Sequence, residues 1–220
     1  MSVLVAWPTV DVKEANETAE EWKKQGYDTA ILVEDQNIPQ PEHIDHQVYI
    51  PRWRGFPVAA NQLCQTFRGM YDIIVIGGND LYPDQNKTAY EIESEFKEHF
   101  GGTFGLMSPT GDRYGLIDEA AVCPWIGSEY IDKMYDGKGP YYEGYYHYFC
   151  DGELQDVAAL NGTFLQRLDI SQYHDHWSRN QEQRPDHLIH AKACHPVDQR
   201  TYHSRKADGF PGAITERSLG

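Results

Sequence analysis

The chain has 220 residues, which is enough for one domain with a substantial hydrophobic core. A hydrophobic content of 40% and an aromatic content of 13% exclude a disordered protein, and no apolar run approaches the roughly 18 residues that a membrane span needs. Four scattered cysteines without a Cys-x-x-Cys pair argue against a zinc ribbon or a disulfide framework. Because the first residues also lack a basic signal-peptide start, we expect a cytoplasmic protein.

The formal net charge of −15 is unevenly distributed along the chain. Residues 178–220 hold seven Lys and Arg against five acids, together with four of the ten histidines, whereas residues 1–177 are strongly acidic. An acidic body disfavours sequence-independent binding to nucleic acid, while a locally basic segment is compatible with a phosphate-bearing partner. The alternative for this segment is an ordinary solvated tail.

In the first half of the chain, strand patterns alternate with helix patterns. The apolar strand SVLVAW precedes a helix that Asp11 caps and that ends near Gly26. The strands TAILVED and QVYIP come next, and then a helix ending near Gly69, the strand YDIIVIGG, a helix ending near Gly101 and the strand FGLMSP. This repetition predicts an α/β fold with a Rossmann-like, mostly parallel central sheet and helices on both faces.

The second half is less regular. Seven of the fifteen tyrosines lie between Tyr130 and Tyr148, among several glycines. CDGELQDVAALNG predicts a short helix that Asp151 caps and that Asn161-Gly162 ends, and TFLQRLDI predicts a strand before SQYHDHW. We therefore predict one domain over residues 1–177, divided at 110, and an extension over residues 178–220 that packs on or near the functional site.

Three of the predicted strands end in residues that suit ligand binding. Ligands of open α/β sheets bind beyond the carboxyl ends of the strands. The residues at these ends are Pro8 and Thr9, Glu34 and Asp35, and Asn79 and Asp80. The chain has no Gly-x-Gly-x-x-Gly after its first strand and no Gly-Lys-Ser/Thr, which argues against a dinucleotide-binding fold and a P-loop NTPase. Bound phosphates would therefore need a metal ion and arginines such as Arg52 and Arg54, whose alternative role is a solvated surface loop.

Asp80 is the candidate for a metal-binding carboxylate. Mg²⁺ and Mn²⁺ take one or two carboxylates together with phosphate oxygens, and one imidazole would complete a Mn²⁺ site. His174 and His176 lie two positions apart, so they share a face if their segment is extended. The alternatives are a plain turn at Gly-Gly-Asn-Asp and two exposed histidines.

Asp151 is the candidate for a general base. It lies at the start of a predicted helix together with Glu153 and Asp156, where the helix dipole favours an ionised carboxylate. Such a carboxylate either caps the helix or takes a proton from an acceptor hydroxyl. The preceding tyrosines stack on a sugar or a base in one interpretation and belong to the core in the other.

In their order along residues 2–177, these motifs resemble the small GT-A glycosyltransferases, especially the family 2-like group. The corresponding stretches are Pro8-Thr9, Glu34-Asp35, GGNDLYPD, FCDGELQDVA and HDH. The resemblance implies a GT-A fold whose first part, residues 1–110, binds a nucleotide-sugar donor, most simply a UDP-sugar. Residues 111–177 would form the acceptor and catalytic half.

The resemblance also implies inverting transfer of the sugar to an acceptor hydroxyl. Mn²⁺ or Mg²⁺ would be held by Asp80 and by His174 or His176, and Asp151 would be the base. The implied donor-binding residues are Pro8, Thr9, Glu34, Asp35, Arg52, Arg54, Asn61 and Asn79. Two positions depart from the family pattern: Asn79 replaces the first acid of the usual metal-binding pair, and Cys150 stands where the base motif often has Glu.

A weaker likeness is to compact phage-type enzymes that glycosylate hydroxymethylated pyrimidines in DNA. It rests on chain size and on the stretches HYFCDGEL and HSRKADGFPG. It implies action on DNA in the host cytoplasm, phosphate contacts from Arg200, and an acceptor site formed by Tyr146, His147, Glu153, Arg205 and Lys206. A saccharide or small-molecule acceptor is the alternative. Two other classes stay open: a metal-dependent hydrolase that uses the histidines, and a non-catalytic nucleotide- or carbohydrate-binding module.

Overall fold

The computed structural model describes residues 3–114, 120–179 and 187–214. Within them, a seven-stranded, mostly parallel sheet carries helices on both faces, so the prediction of an α/β fold is confirmed at this level. No helix in these three ranges is both long and apolar enough to cross a bilayer.

Strands and helices alternate through the first half and become less regular afterwards. In chain order the elements are β1 (Val3–Pro8), α1 (Val12–Lys24), β2 (Asp28–Val33), β3 (His46–Tyr49), α2 (Phe56–Phe67), β4 (Ile73–Ile76), β5 (Leu81–Tyr82), α3 (Ala89–Phe100), β6 (Leu106–Pro109), β7 (Trp125–Gly127), α4 (Ser128–Lys133), α5 (Cys150–Leu160), β8 (Phe164–Arg167), β9 (Tyr173–His174) and α6 (His187–Ala207).

Local sequence signals explain where the first helices begin. The Asp11 carboxylate accepts a hydrogen bond from the backbone N–H of Glu14 at 3.0 Å, which confirms the predicted cap of α1. At the start of α3, Thr88 and Glu91 satisfy each other's backbone donors in a capping box. Both helices thus begin where a short polar side chain replaces the missing intrahelical acceptor.

The strand order of the large sheet is β3-β2-β1-β4-β7-β6-β8. The strands β1 to β4 are parallel, whereas β7 runs antiparallel to both of its neighbours. The chain winds outward from β1 to β3 and then returns to place β4 on the other side of β1. The carboxyl ends of β1 and β4 therefore flank a topological switch point, where open α/β sheets form their binding crevice.

Alternating side chains divide the core into two layers. On β1, Val3, Val5 and Trp7 pack in the layer that holds α1 and α3. Leu4 and Ala6 pack in the opposite layer, together with residues of α2, α4, α5 and α6. All five of these strand residues are at most 1% exposed, so β1 is the centre of the molecule.

Several elements were not predicted from the sequence. These are the reversed strand β7, the short helix α4, the two-residue strand β5, and α6 within the predicted extension. From that extension, Tyr202 and Phe210 pack in the same core layer as α5. The extension is therefore part of the hydrophobic core as well as a surface element.

Candidate functional site

The carboxyl ends of β1 to β4 form one edge of the sheet, and six of the predicted site residues lie at or just after the ends of β1, β2 and β4: Pro8, Thr9, Glu34, Asp35, Asn79 and Asp80. Pro8 ends β1, and the half-buried Thr9 donates its backbone N–H to the carbonyl of Leu32 in β2 at 3.0 Å. Glu34 and Asp35 follow β2 and are exposed. This edge therefore brings together side chains from three separate turns, as the sequence predicted.

A two-stranded ribbon of β5 and β9 places Asp80 beside His174. The strands pair antiparallel, with Leu81 opposite His174, and the backbone N–H of Asp175 donates to the carbonyl of Asp80 at 2.8 Å. As a result the His174 Nε2 lies 3.2 Å from the Asp80 Oδ2, although the two residues are 94 positions apart. A side chain at Gly78 would crowd the Asp80 carboxylate, because its Cβ would lie 2.9 Å from the Asp80 Oδ1.

The electrostatic surroundings of Asp80 favour its ionised form. Burial raises the pKa of the Asp80 carboxyl, but the hydrogen bond and charge of His174 outweigh that effect, so the net pKa lies below its ordinary value. The His176 Nδ1 instead contacts the Tyr114 hydroxyl at 3.2 Å and the Ser178 hydroxyl at 2.7 Å. Of the two predicted imidazoles, the structure thus pairs His174 with the carboxylate.

The Asp80–His174 pair fits a divalent cation that takes most of its ligands from a substrate. Two neighbouring ligands of an octahedral Mg²⁺ or Mn²⁺ ion lie roughly 3 Å apart, close to the observed separation of 3.2 Å. In the part of the chain that the structure describes, no group of three or more His, Cys, Asp or Glu side chains is arranged to hold a metal. Tight binding without a substrate is therefore not expected.

Three further residues beside this pair were missed by the sequence reasoning. Asp112 accepts from the backbone N–H of His174 at 3.1 Å and forms an ion pair with Arg179. The Arg179 guanidinium lies 4.0 Å from the ring centre of Tyr114, and its Nε is buried without a partner among the described residues. A cation is thus held next to Asp80 and His174 with one donor unused. The only sequence signal was the acid in Gly111-Asp112 after the fifth predicted strand.

The far end of the edge is formed by the residues that follow β2 and by the loop after β3. The Glu34 carboxylate accepts from the backbone N–H of Trp53 at 2.6 Å, and Asp35 accepts from the backbone N–H of Asn37 at 2.9 Å. Arg52 and Arg54 are exposed, and among the described residues their side chains have no hydrogen bond or ion pair. Two cations and two acids are therefore exposed in this corner.

The loop that carries these arginines is packed on the tyrosine-rich segment. The backbone N–H of Phe56 donates to the carbonyl of Tyr146 at 2.8 Å, and a Cβ at Gly55 would lie 2.6 Å from that oxygen. Burial raises the pKa of Tyr146, and Glu34 contributes to the shift. Tyr146 therefore belongs to the donor corner as much as to the predicted acceptor site.

Two predicted donor contacts are corrected by the structure. Asn61 is fully buried, and its side-chain amide both donates to and accepts from the backbone of Tyr141. Asn79 accepts from the indole N–H of Trp7 at 2.8 Å and donates to the Glu14 carboxylate at 2.9 Å. Because an aspartate has no N–H to donate, this pattern also explains why Asn rather than Asp stands at position 79.

Asp151 is not the cap of α5, contrary to the sequence prediction. The cap position belongs to Phe149, and Asp151 is the second helical residue. Its half-buried carboxylate accepts from the backbone N–H of Gly152 at 2.9 Å, and it has no cationic partner among the described residues. Burial raises the pKa of Asp151 above its ordinary value, as a general base requires.

Asp80 and Asp151 each contribute to the raised pKa of a buried side chain. Burial raises the pKa of the Cys123 thiol, and the Asp80 carboxylate adds to that shift. The pKa of the buried Tyr141 hydroxyl is likewise raised by burial, with contributions from Asp151 and Cys123. The Asp80 and Asp151 carboxylates thus raise the pKa of two different buried groups, Cys123 and Tyr141.

Of the predicted acceptor residues, Glu153 and Arg205 are committed to each other. Glu153 is 1% exposed, and its carboxylate accepts hydrogen bonds from the Nε and Nη2 atoms of Arg205 at 2.7 to 3.0 Å. It also accepts from the hydroxyls of Tyr135 and Tyr145, each at 2.5 Å. Because the charges of Glu153 and Arg205 pair with each other, neither is available to bind an acceptor. We therefore remove both residues from the predicted acceptor site.

The other predicted acceptor residues line the contact between α6 and the segment before α5. Asp198, which is 1% exposed, accepts from the backbone N–H groups of Tyr146, His147 and Tyr148 at 2.9 to 3.0 Å. Lys206 pairs with Asp156 at 2.9 Å. Tyr146 and His147 thus lie near Asp151, whereas Lys206 is engaged at the surface of α5.

Comparison with known proteins adds no identification. No protein-family model matches the chain, and no curated protein matches it. The function must therefore be argued from the site.

Proposed function

We propose that this protein is a metal-dependent glycosyltransferase with a GT-A fold, which moves a sugar from a nucleotide-sugar donor to an acceptor hydroxyl with inversion. The observation that carries the proposal is the 3.2 Å approach of Asp80 and His174 at the topological switch point of the sheet. The segments that carry Asp80 and His174 are far apart in sequence, and the resemblance to GT-A glycosyltransferases implies that they lie together.

We assign donor binding to the sheet edge. This edge runs from the corner that holds Glu34 and Asp35 to the Asp80–His174 pair. Glu34 and Asp35 are the exposed acids that accept from a base or a ribose, and Arg52 and Arg54 supply charge for phosphates. At the other end, Asp112 and Tyr114 position the guanidinium of Arg179, whose side chain is 23% exposed, so that its charge can attract the donor diphosphate. This arrangement replaces the glycine-rich phosphate loop that the chain lacks.

Asp80 and His174 would hold Mn²⁺ or Mg²⁺ together with oxygens of the donor diphosphate. An ion held by these two residues would supply positive charge to offset the negative charge on the departing nucleoside diphosphate. Two protein ligands are enough in such a site, because oxygens of the substrate would complete the coordination shell of the ion.

Asp151 is assigned as the general base. It takes the proton of the acceptor hydroxyl while that oxygen forms a bond to the anomeric carbon. The bond from this carbon to the diphosphate oxygen breaks on the opposite face, and the nucleoside diphosphate leaves with the electron pair. Asp151 suits this role because its carboxylate has no cation to compete for the incoming proton among the described residues.

The test is a thermal-shift panel of nucleotide sugars with and without Mn²⁺, followed by a transfer assay with the donor that binds. A ligand at 100 times its dissociation constant stabilises the native state by about 2.7 kcal/mol, which for a chain of this size is roughly 5–10 °C. We expect one donor to give such a shift only with Mn²⁺ present.

Variants at the site connect the shift to the proposed residues. Asp80→Asn and His174→Ala are expected to abolish the Mn²⁺-dependent part of the shift, whereas Asp208→Asn, at an exposed position beyond α6, leaves it unchanged. A panel in which Mn²⁺ makes no difference to any nucleotide sugar would refute the metal role. Donor binding without transfer to any of many acceptors would show a binding module instead.

A further inference from the structure

Asp198 is a buried acid of α6 whose carboxylate binds backbone groups. It is 1% exposed, and its Oδ1 accepts from the backbone N–H of Tyr146 at 2.9 Å. Its Oδ2 accepts from the backbone N–H groups of His147 at 2.9 Å and of Tyr148 at 3.0 Å. Consecutive backbone N–H groups that converge on one anion form a nest, which offsets a buried negative charge. Because no cation pairs with Asp198 among the described residues, these three bonds offset its charge and hold residues 146–148 against α6.

The loop after β3 holds the same segment from the other side. The carbonyl of Tyr146 accepts from the backbone N–H of Phe56 at 2.8 Å. The approach is so close that a side chain would not fit at Gly55, where φ is +112° and a Cβ would lie 2.6 Å from this carbonyl oxygen. The loop also carries the two arginines to which we assign donor phosphates. Residues 146–148 therefore connect α6 with the donor corner.

The segment leads directly into α5 and its candidate base. The carbonyl of His147 accepts from the Cys150 thiol at 3.1 Å, and Phe149 is the N-cap residue of the helix. Phe149 has a φ of +67°, a left-handed conformation that an aromatic residue adopts only where its surroundings fix it. Asp151 follows two residues later, so the direction in which its helix starts depends on how residues 146–148 are held.

We propose that Asp198 is a positioning residue of the transfer reaction: by holding residues 146–148 between α6 and the loop after β3, its carboxylate sets the alignment of Asp151 with the donor. The proposal rests on the glycosyltransferase function proposed above. A general base must lie within hydrogen-bond reach of the hydroxyl that it deprotonates, and a displacement of about 1 Å can cost about 100-fold in rate. Because Asp198 is buried, it acts through Asp151 and touches no substrate.

The first test is Asp198→Asn, which keeps the shape of the side chain but has one acceptor oxygen fewer. At least one of the three backbone N–H groups then faces an amide NH₂ and loses its partner. We expect the single-turnover transfer rate to fall at least tenfold, and the donor dissociation constant to stay within about threefold because Asp80 and His174 are unaltered. A wild-type rate in Asp198→Asn would overturn the proposal.

Asp45→Asn is the control for this substitution. Asp45 also accepts from a backbone N–H, that of Thr29, but it lies at the amino ends of β2 and β3, opposite the donor edge. The same exchange of an acid for an amide is therefore made far from residues 146–148. We expect Asp45→Asn to keep the wild-type transfer rate, and an equal loss of rate in both variants would refute a specific role of Asp198.

The dependence of the rate on pH separates positioning from a loss of folded protein. Burial raises the pKa of Asp151, and it also raises the pKa of the Cys150 thiol and the Tyr141 hydroxyl on which its charge acts, so both stay neutral. A segment released from Asp198 admits water to Asp151, so we expect the inflection of the rate to move to lower pH in Asp198→Asn. A rate lowered by the same factor at every pH would show a purely structural role and refute the proposal.

Hydrogen exchange tests the contact without the reaction, and it needs only the wild type if Asp198→Asn does not fold. We expect the backbone amides of Tyr146, His147 and Tyr148 to exchange at least 100-fold more slowly than that of the exposed Gln36. Equal exchange would overturn the proposal. A wild type that neither binds a donor nor transfers sugar would refute the proposed function, whereas equal transfer by the wild type and Asp198→Asn refutes this inference alone.

Discussion

Asp151 and Glu153 lie two residues apart in the first turn of α5, and their surroundings are opposite. Glu153 accepts from a buried arginine and two tyrosine hydroxyls, so every lone pair that faces the protein is used. Among the described residues, Asp151 accepts from the adjacent backbone alone, and burial raises its pKa. The Glu153 carboxylate thus has hydrogen-bond partners within the fold, whereas burial makes the Asp151 carboxylate take up a proton more readily.

The same contrast separates the sheet edge from the α5–α6 contact. The side chains of Asp80 and His174 are 37% and 19% exposed, and those of Glu153 and Arg205 are 1% and 11% exposed. Both are pairs of an acid and a base at hydrogen-bond distance. Because a buried pair has no solvent to replace a lost partner, we expect its disruption to lower the stability of the fold, whereas disruption of the open pair should affect mainly the proposed donor and metal binding.

The largest expected effect is that of Asp151→Asn on transfer. Loss of the base lowers the transfer rate by roughly 10²–10⁴-fold, while donor affinity stays within about twofold because the change is outside the donor edge. Measurement of the single-turnover rate and of the donor dissociation constant separates these quantities. A loss of donor affinity equal to the loss of rate would assign Asp151 to structure or metal binding.

The same variant is expected to be at least as stable as the wild type at neutral pH. Because the folded-state pKa of Asp151 is raised, the fold prefers the protonated acid, and ionisation costs stability as the pH rises through that pKa. The wild type is therefore most stable relative to Asp151→Asn below about pH 4. Thermal midpoints at pH 4 and pH 7 test the sign, and a clear loss of stability at pH 7 would contradict it.

Glu153→Gln is expected to have the largest effect on stability. It leaves the buried Arg205 without its counter-charge, which costs about 3–5 kcal/mol in the free energy of unfolding. Urea unfolding gives this quantity from the midpoint and slope. The double variant Glu153→Gln/Arg205→Met should recover part of the loss, because the unpaired charge is gone. A cost below about 1 kcal/mol for the single variant would remove the distinction between the two acids of α5.

Motif order in the sequence was sufficient to predict the sheet edge but not the partners within it. The resemblance implied that Asp80 lies near His174 or His176 without choosing between them, and the α/β architecture followed from alternating strand and helix patterns. The ribbon that fixes the pair has only two residues per strand, too few for a periodic signal. The partner of Asn79, Trp7, is 72 positions away, and no local pattern indicates it.

Helix α6 escaped prediction for a different reason. Its buried residues Ala191, Asp198 and Arg205 recur every seven positions, a helical spacing, but two of them are charged. A search for apolar periodicity therefore finds no buried face, and Pro196 within the helix weakens the signal further. Charged residues became core residues here because their partners on α5 and the tyrosine-rich segment were available, which only the tertiary structure shows.

Asn79→Asp tests whether the open edge also contains structural residues. The new carboxylate cannot donate to Glu14 and places a second negative charge beside it, so we expect a cost of about 1–3 kcal/mol in the free energy of unfolding. Mn²⁺-dependent donor binding should not tighten. Asn86→Asp, at an exposed position in the next loop, between β5 and α3, is the control and should be near neutral. Tighter Mn²⁺ binding without loss of stability would instead make position 79 a metal-ligand position.

The smallest expected effect is at an ion pair that belongs to neither region. Asp45 contacts Lys23 at 2.5 Å and the backbone N–H of Thr29 at 3.0 Å, and the two charged side chains are 32% and 35% exposed. Burial raises the pKa of Asp45, but the bonds from Lys23 and Thr29 outweigh it and the net pKa is lowered. Its stabilisation is therefore present above about pH 4 and lost as the pH falls through the lowered pKa.

We expect Asp45→Asn to cost less than about 1 kcal/mol at pH 7, with the difference from the wild type shrinking towards pH 3.5. Urea unfolding at both pH values measures it. A cost as large as that of Glu153→Gln would mean that burial is not what distinguishes the α5–α6 contact from the remaining ion pairs.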